Sequence, residues 1–303
     1  MPIFFNPPSV YFMHIPKTGG SATANWLRSM YRARDYIDLT IHTVAELSLE
    51  RLASFRCYHS VHHGLNLMNM TSRSDLTVFT VLRDPLERSV SNFEHHRRQV
   101  LQHPERFSAR VRSRANKDIV DIEYQQLANV VSTQSDFLGS RCDYATFFQK
   151  HRERSAAGDQ SSLLQSHAIE RVDSTPQQTF DRAVTWLRTM PVVGLTERFN
   201  DSMQLIADLI GAPPPARRLA ANINPQRHDF NQLYRSTLHP EALAKLEQIN
   251  RYDFELYAIA RDLFEAQWAR FCTRRSRRYS ISPRLKMLKH RLFAVPRLLD
   301  RRS

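Results

Sequence analysis

The chain has 303 residues, 42% of them hydrophobic, enough for one large domain with a substantial core. Its three cysteines, Cys57, Cys142 and Cys272, are odd in number and far apart, which argues against a disulfide framework and for a reducing compartment. The formal charge of +13 is concentrated in residues 269–303, where twelve Lys or Arg accompany one acid, leaving 31 basic against 29 acidic side chains elsewhere. No recognition motif accompanies the charge, so nucleic acid is not the expected partner.

No run of eighteen apolar residues occurs, and Met1 to Val10 lack the charged start and apolar core of a secretion signal. The expectation is a cytoplasmic protein, brought to a membrane peripherally if at all.

In chain order, the first legible element is the apolar, β-branched and aromatic run Val10 to Ile15, the pattern of a buried parallel strand. Pro16-Lys17-Thr18-Gly19-Gly20-Ser21 follows, with a helix predicted to open near Ser21. Gly19 and Gly20 let the backbone turn tightly and approach a ligand without a Cβ in the way, so N–H groups converge on an anion at the positive end of the helix. Lys17 adds a full charge, and the hydroxyls of Thr18 and Ser21 are further donors. A nucleoside-triphosphatase loop instead places its lysine after the last glycine, beside a metal-holding Ser or Thr. Here the lysine comes first, and no strand ends in an obvious metal-holding acid. A P-loop kinase-like enzyme is therefore the weaker reading, and a plain glycine turn with a solvated lysine is the bland one.

Cys57-Tyr58-His59-Ser60-Val61-His62-His63-Gly64 reads as a strand followed by a turn. Histidine has the side-chain pKa best placed to accept a proton at working pH. These histidines lack the i, i+4 spacing or partnering cysteine pair of a zinc site, so no metal is expected.

A second buried strand is predicted over Leu76 to Leu82, followed by Arg83. Asp84, Pro85 and Glu87 then read as an N-cap, a proline at the first helical position and a capping-box acid. Arg88 and Ser91 are three apart and share a helix face, and Arg83 with Ser91 can grip a phosphate from two sides. Further on, helices are predicted over Asp118 to Leu138, lining an acceptor groove, and over Gln178 to Met190. A strand follows near Val192 to Gly194, and Asn222 to Asp229 reads as a loop able to close over a ligand. The order of strands and helices predicts an α/β fold, a P-loop-like parallel sheet flanked by helices, with its ligand at the carboxyl ends of the strands. The expected division is a domain over 1–268 and a basic helical tail over 269–303. In the tail, Leu285, Leu288 and Leu292 fall on one helical face, suited to an anionic membrane surface. A solvated basic tail is the alternative.

Ile15 to Ser21 together with Arg83-Asp84-Pro85-x-x-Arg88-x-x-Ser91-x-Phe93 resembles the 5′-phosphosulfate loop and the 3′-phosphate motif of sulfotransferases that use 3′-phosphoadenosine 5′-phosphosulfate (PAPS). The chain is most similar to the branch containing heparan sulfate 2-O-sulfotransferase and related carbohydrate sulfotransferases; Val193 to Phe199 and Tyr252 to Tyr257, followed by Phe264, fit that branch too. The resemblance implies PAPS as donor without a required metal, and a carbohydrate or glycolipid hydroxyl as acceptor. It assigns Lys17, Thr18, Gly19, Gly20 and Ser21 to the phosphosulfate end and Arg83 and Ser91 to the 3′-phosphate. Lys17 is also catalytic, stabilising charge on the leaving oxygen. The branch carries its base in a Tyr-His-Gly-His stretch, with which Tyr58-His59 aligns while His62 falls one residue late. His59 is thus the first choice as base, and His62 the second choice or a substrate contact. The Golgi members begin with a membrane anchor, a pattern this chain departs from. A catalytically inactive relative that binds membranes or polyanions is the remaining alternative.

Overall fold

The computed structural model describes residues 7–40, 43, 46–60, 71–141, 153, 175–215 and 236–292, with backbone only over 277–292. The apolar runs become the strands of one sheet: β1 (Val10–Met13), β2 (Tyr36–Leu39), β3 (Cys57–Ser60), β4 (Thr77–Leu82) and β5 (Val192–Leu195). Every pairing is parallel, in the order β2-β3-β1-β4-β5. All four residues of β1 and of β5 are buried, as continuous apolar runs covered on both faces require.

The chain leaves β1 toward one side of the sheet and returns from β4 toward the other, so β1 is where the winding direction changes. In open parallel sheets a crevice forms at that point, beyond the carboxyl ends of the strands. Helix α1 (Gly20–Met30) follows β1, and α2 (Leu49–Ala53) lies between β2 and β3. Helix α3 (Pro85–Gln102) follows β4, and Asp84 caps it by accepting from the N–H groups of Leu86 and Glu87. The core joins strand residues to Leu27, Phe180, Leu187, Ile206 and Phe264, and a second cluster packs α3 through Leu86, Val90 and Phe93 against Leu127, Val131 and Leu246.

The single helix expected over Asp118 to Leu138 is instead broken. After the short helix α4 (Ala109–Arg114), a 3₁₀ turn (Ile119–Asp121) precedes α5 (Tyr124–Val131) and α6 (Gln134–Gly139). Between them Ser132 adopts φ 43°, turning the chain so that the carbonyls of Val131 and Ser132 both accept from Arg88 Nη2. Thr133 then caps α6 by accepting from the Asp136 N–H. The buried guanidinium outweighs helix propensity here, because it brings donors to two carbonyls at the end of α5.

Helix α7 (Pro176–Thr189) starts two residues before the expected Gln178, set by a capping box between Thr175 and Gln178. Helices α8 (Phe199–Ile210) and α9 (Pro240–Ile249) follow β5, and α10 (Arg251–Leu292) ends the described chain. The boundary expected at 268 falls inside α10, which continues unbroken. Phe271 is buried in the core, Arg274 Nη2 pairs with Asp208 at 2.9 Å, and Arg275 Nη1 donates to Gln204 at 3.0 Å. The first turns of the basic segment thus belong to the packed domain. Among the described residues no helix is long and apolar enough to cross a membrane.

Candidate functional site

The loop after β1 is shaped by two residues in left-handed backbone conformation, Lys17 (φ 72°) and Gly19 (φ 86°). A non-glycine residue there costs on the order of 1 kcal/mol, so the surrounding contacts must hold it. They do so through Thr18, fully buried between the two, whose Oγ1 donates to the Ile15 carbonyl at 2.8 Å while its own carbonyl accepts from Thr196 Oγ1 at 2.9 Å. The Thr18 hydroxyl, expected to face phosphate, has its one proton engaged inside the loop. Both glycines are sterically required. A Cβ on Gly19 would stand 2.7 Å from the Phe199 ring, and one on Gly20 would stand 1.8 Å from His14 Nε2. Helix α1 opens at Gly20 with no side-chain cap, and Ser21 lies in its first turn. An uncapped helix start is an anion site by virtue of its orphan amides and its dipole.

Cations gather around this loop. Burial first, then Arg98 and Arg83, lower the Lys17 ammonium to about 8. Arg98 Nη1 is buried without a hydrogen-bond partner, and neither Lys17 nor Arg98 has a carboxylate partner among the described residues. Arg83 Nη1 donates to the Lys17 carbonyl at 3.3 Å, which joins the two motifs across 66 positions of sequence. It also contacts Glu87 Oε2 at 3.4 Å and, through its backbone, both ends of the Gln134 amide. Ser91, His95 and Arg98 lie along one face of α3, and His95 is held below its ordinary value by burial, Lys17 and Arg98. Like charges left this close, one with an unpartnered buried nitrogen, fit an anionic group carrying phosphate.

Arg88, from the same motif, faces elsewhere. It is fully buried, Asp253 and Asp136 act on its charge, and desolvation lowers it to about 10. Two segments that carry no evident chemical role, Val193 to Phe199 and Tyr252 to Tyr257, supply braces. Thr196 Oγ1 lies 2.9 Å from the Thr18 carbonyl and 3.1 Å from that of Leu82. Glu197 accepts from the Asp84 N–H at 2.9 Å and from the Tyr257 hydroxyl at 2.7 Å. Asp253 accepts from the N–H groups of Gln134 (2.6 Å) and Ser135 (2.9 Å) and from the Ser135 hydroxyl (2.6 Å), and Gln134 in turn holds Arg83.

On the other side of β1 stands His59. The register sets Asp38, His59 and Phe12 side by side on β2, β3 and β1, and His14, two residues past Phe12, shares their face. His59 Nδ1 lies 2.7 Å from Asp38 Oδ1, and His59 Nε2 lies 2.8 Å from His14 Nδ1. The two imidazoles stack with centroids 5.0 Å apart, and both stack on Phe12. Asp38 also accepts from Tyr36 Oη and Arg28 Nη2, each at 2.7 Å. Burial pushes its carboxyl up, but the hydrogen bonds from His59, Tyr36 and Arg28 outweigh that and hold it below the usual range. Burial also keeps His59 below its ordinary value against the pull of Asp38.

His62 and the loop expected over Asn222 to Asp229 lie outside the described residues. His14 and Asp38 were missed by the sequence reading. The one signal for Asp38 was an acid inside the otherwise apolar strand Tyr36-Ile37-Asp38-Leu39. Among the described residues no group of three His, Cys, Asp or Glu is placed to hold a metal ion.

Residues 3–260 match the model of the sulfotransferase family. None of the curated proteins compared with the chain matches it.

Proposed function

Because the chain belongs to the sulfotransferase family, we propose that it transfers a sulfuryl group from PAPS to a hydroxyl of a carbohydrate or glycolipid. The observation that carries this reading is the contact of Arg83 with the Lys17 carbonyl, which merges two phosphate-suited motifs into one cationic cleft. PAPS, when bound, supplies the sulfuryl group and a bisphosphate leaving group. Lys17 and the amides of the Gly19–Gly20 turn stabilise the charge that grows on the leaving oxygen, a role worth about 2.7 to 4 kcal/mol per donor in such sites. Arg83 and Ser91 hold the 3′-phosphate and set affinity. The His59–Asp38 pair receives the acceptor proton: Asp38 fixes the ring with Nδ1–H toward itself and stabilises the imidazolium that forms. The basic segment beyond residue 276 supports peripheral attachment to an anionic membrane from the cytoplasmic side.

Two measurements test the reading. Thermal unfolding with 3′-phosphoadenosine 5′-phosphate should show stabilisation by mass action, and magnesium ATP at the same concentration should stabilise much less. Greater protection by magnesium ATP would establish the kinase-like reading instead. Incubation with labelled PAPS and a panel of oligosaccharides and glycolipids, read by mass spectrometry, should yield a sulfated product.

A further inference from the structure

Resting on the sulfuryl-transfer reading, we propose that His14 is the group that takes the proton from the acceptor hydroxyl, passing its own Nδ1 proton on to His59. The argument starts at Asp38. Its carboxylate only accepts hydrogen bonds, so the His59 Nδ1 that lies 2.7 Å away carries a proton. A neutral His59 then presents a lone pair at Nε2. That nitrogen is already engaged, 2.8 Å from His14 Nδ1, which must be the donor. It follows that the bare nitrogen of His14 is Nε2, the atom that packs against Gly20 of the phosphate loop. The basic end of the chain is therefore His14 Nε2, placed at the start of the phosphate loop, and His59 acts one step behind it.

The step balances. The acceptor O–H bond breaks and its proton binds His14 Nε2, while the His14 Nδ1 proton moves to His59 Nε2. The acceptor oxygen bonds to sulfur, and the sulfur–oxygen bond to the bisphosphate breaks with its electron pair on the bridging oxygen. The positive charge ends on His59 beside the Asp38 carboxylate, which Tyr36 and Arg28 hold in place by hydrogen bonds. His14 is a poor place for that charge. Burial, His59 and Lys17 hold it at about 3. It conducts the proton without retaining it.

Nitrogen-15 NMR of histidine-labelled, unliganded protein tests the assignment without any turnover. The expected result at neutral pH is Nδ1 protonated and Nε2 bare in both His14 and His59. On acidification His59 should become imidazolium as His14 changes to its Nε2–H tautomer. A His14 that carries its proton on Nε2 at neutral pH has no lone pair facing the loop, and the proposal falls.

Kinetics give the second arm, with the acceptor found in the panel. His14→Phe keeps the stacked ring and removes both nitrogens. Its kcat should fall about 100-fold or more, while affinity for 3′-phosphoadenosine 5′-phosphate stays within about twofold. The His14→Phe, His59→Ala double variant should be no slower than His59→Ala alone, since the two act as a unit. A His14→Phe protein with wild-type kcat overturns the proposal, and if that variant does not fold the wild-type tautomers decide it. A wild-type protein that transfers nothing to any acceptor overturns the sulfuryl-transfer reading itself, an outcome the NMR does not imitate.

Discussion

On the β3 side of strand β1 the polar groups form a closed chain in which Asp38, His59 and His14 satisfy one another within 2.8 Å. On the β4 side Lys17, Arg83 and Arg98 crowd together, two of them without a carboxylate partner among the described residues. With Arg28 paired to Asp38, the first region carries no net charge and is ordered by its own hydrogen bonds, with His14 Nε2 left bare. The second stores repulsion that an anion relieves. A group that moves protons needs fixed tautomers and a lone pair free at working pH, whereas a group that holds phosphate needs positive charge that the protein itself has left uncompensated. The loop from His14 to Ser21 belongs to both regions, joining the histidine pair to the cationic cleft.

The comparison predicts that the two regions separate under mutation. His59→Ala should lower turnover by about two to four orders of magnitude and leave the dissociation constant of 3′-phosphoadenosine 5′-phosphate nearly unchanged by calorimetry. Large loss of affinity in that variant would mean that the closed chain also shapes the phosphate site. Next in size, Asp253→Asn should cost about 3 to 5 kcal/mol of stability in denaturant unfolding, because it removes the stronger-acting of the two carboxylates, Asp253 and Asp136, that offset the buried Arg88 charge. Since Asp253 braces Gln134, and Gln134 braces Arg83, the surviving folded protein should lose affinity before it loses proton transfer.

Arg83→Ala removes a charge-assisted contact worth about 1.5 to 3 kcal/mol, so affinity for the bisphosphate should weaken roughly 10- to 150-fold. An equal loss in Arg88→Ala beyond that explained by its unfolding would contradict the division between a ligand-facing and a buried arginine. The smallest effect is the pH dependence of binding. Bound phosphate favours charged Lys17, whose free-protein value lies near 8, so affinity should be flat below about pH 8 and decline by up to tenfold per unit above it. The ordinary lysine range would place that decline more than two units higher, and a curve flat through pH 9.5 would overturn the combination of a lowered Lys17 ammonium and its contact with the ligand.

Both strand–turn–helix motifs were legible because each is local. A buried strand, a turn and a helix start lie within about a dozen residues, and Gly19, Asp84 and Pro85 do there what their backbone chemistry dictates. Arg88 was less legible than Arg83, five positions away. Its destination depends on where α5 ends, and that end is decided by Ser132 turning two carbonyls toward a guanidinium that no helical pattern reveals. Likewise Thr196, Glu197, Asp253 and Tyr257 carry no chemistry in isolation. Their hydrogen bonds span 60 to 178 positions and form only after the sheet has closed.

The sequence by itself determined the parallel α/β architecture, the two strand–turn–helix segments and a histidine at the end of β3, since hydrophobic runs, glycines and caps act over short range. Only the tertiary structure decided what that histidine works with. His14, Asp38 and His59 sit at the ends of three strands, and they meet because the sheet order is β2-β3-β1 and its register sets Asp38, His59 and Phe12 in one row. Strand order is a global choice made by burying the whole core at once, so no local run of residues announces it.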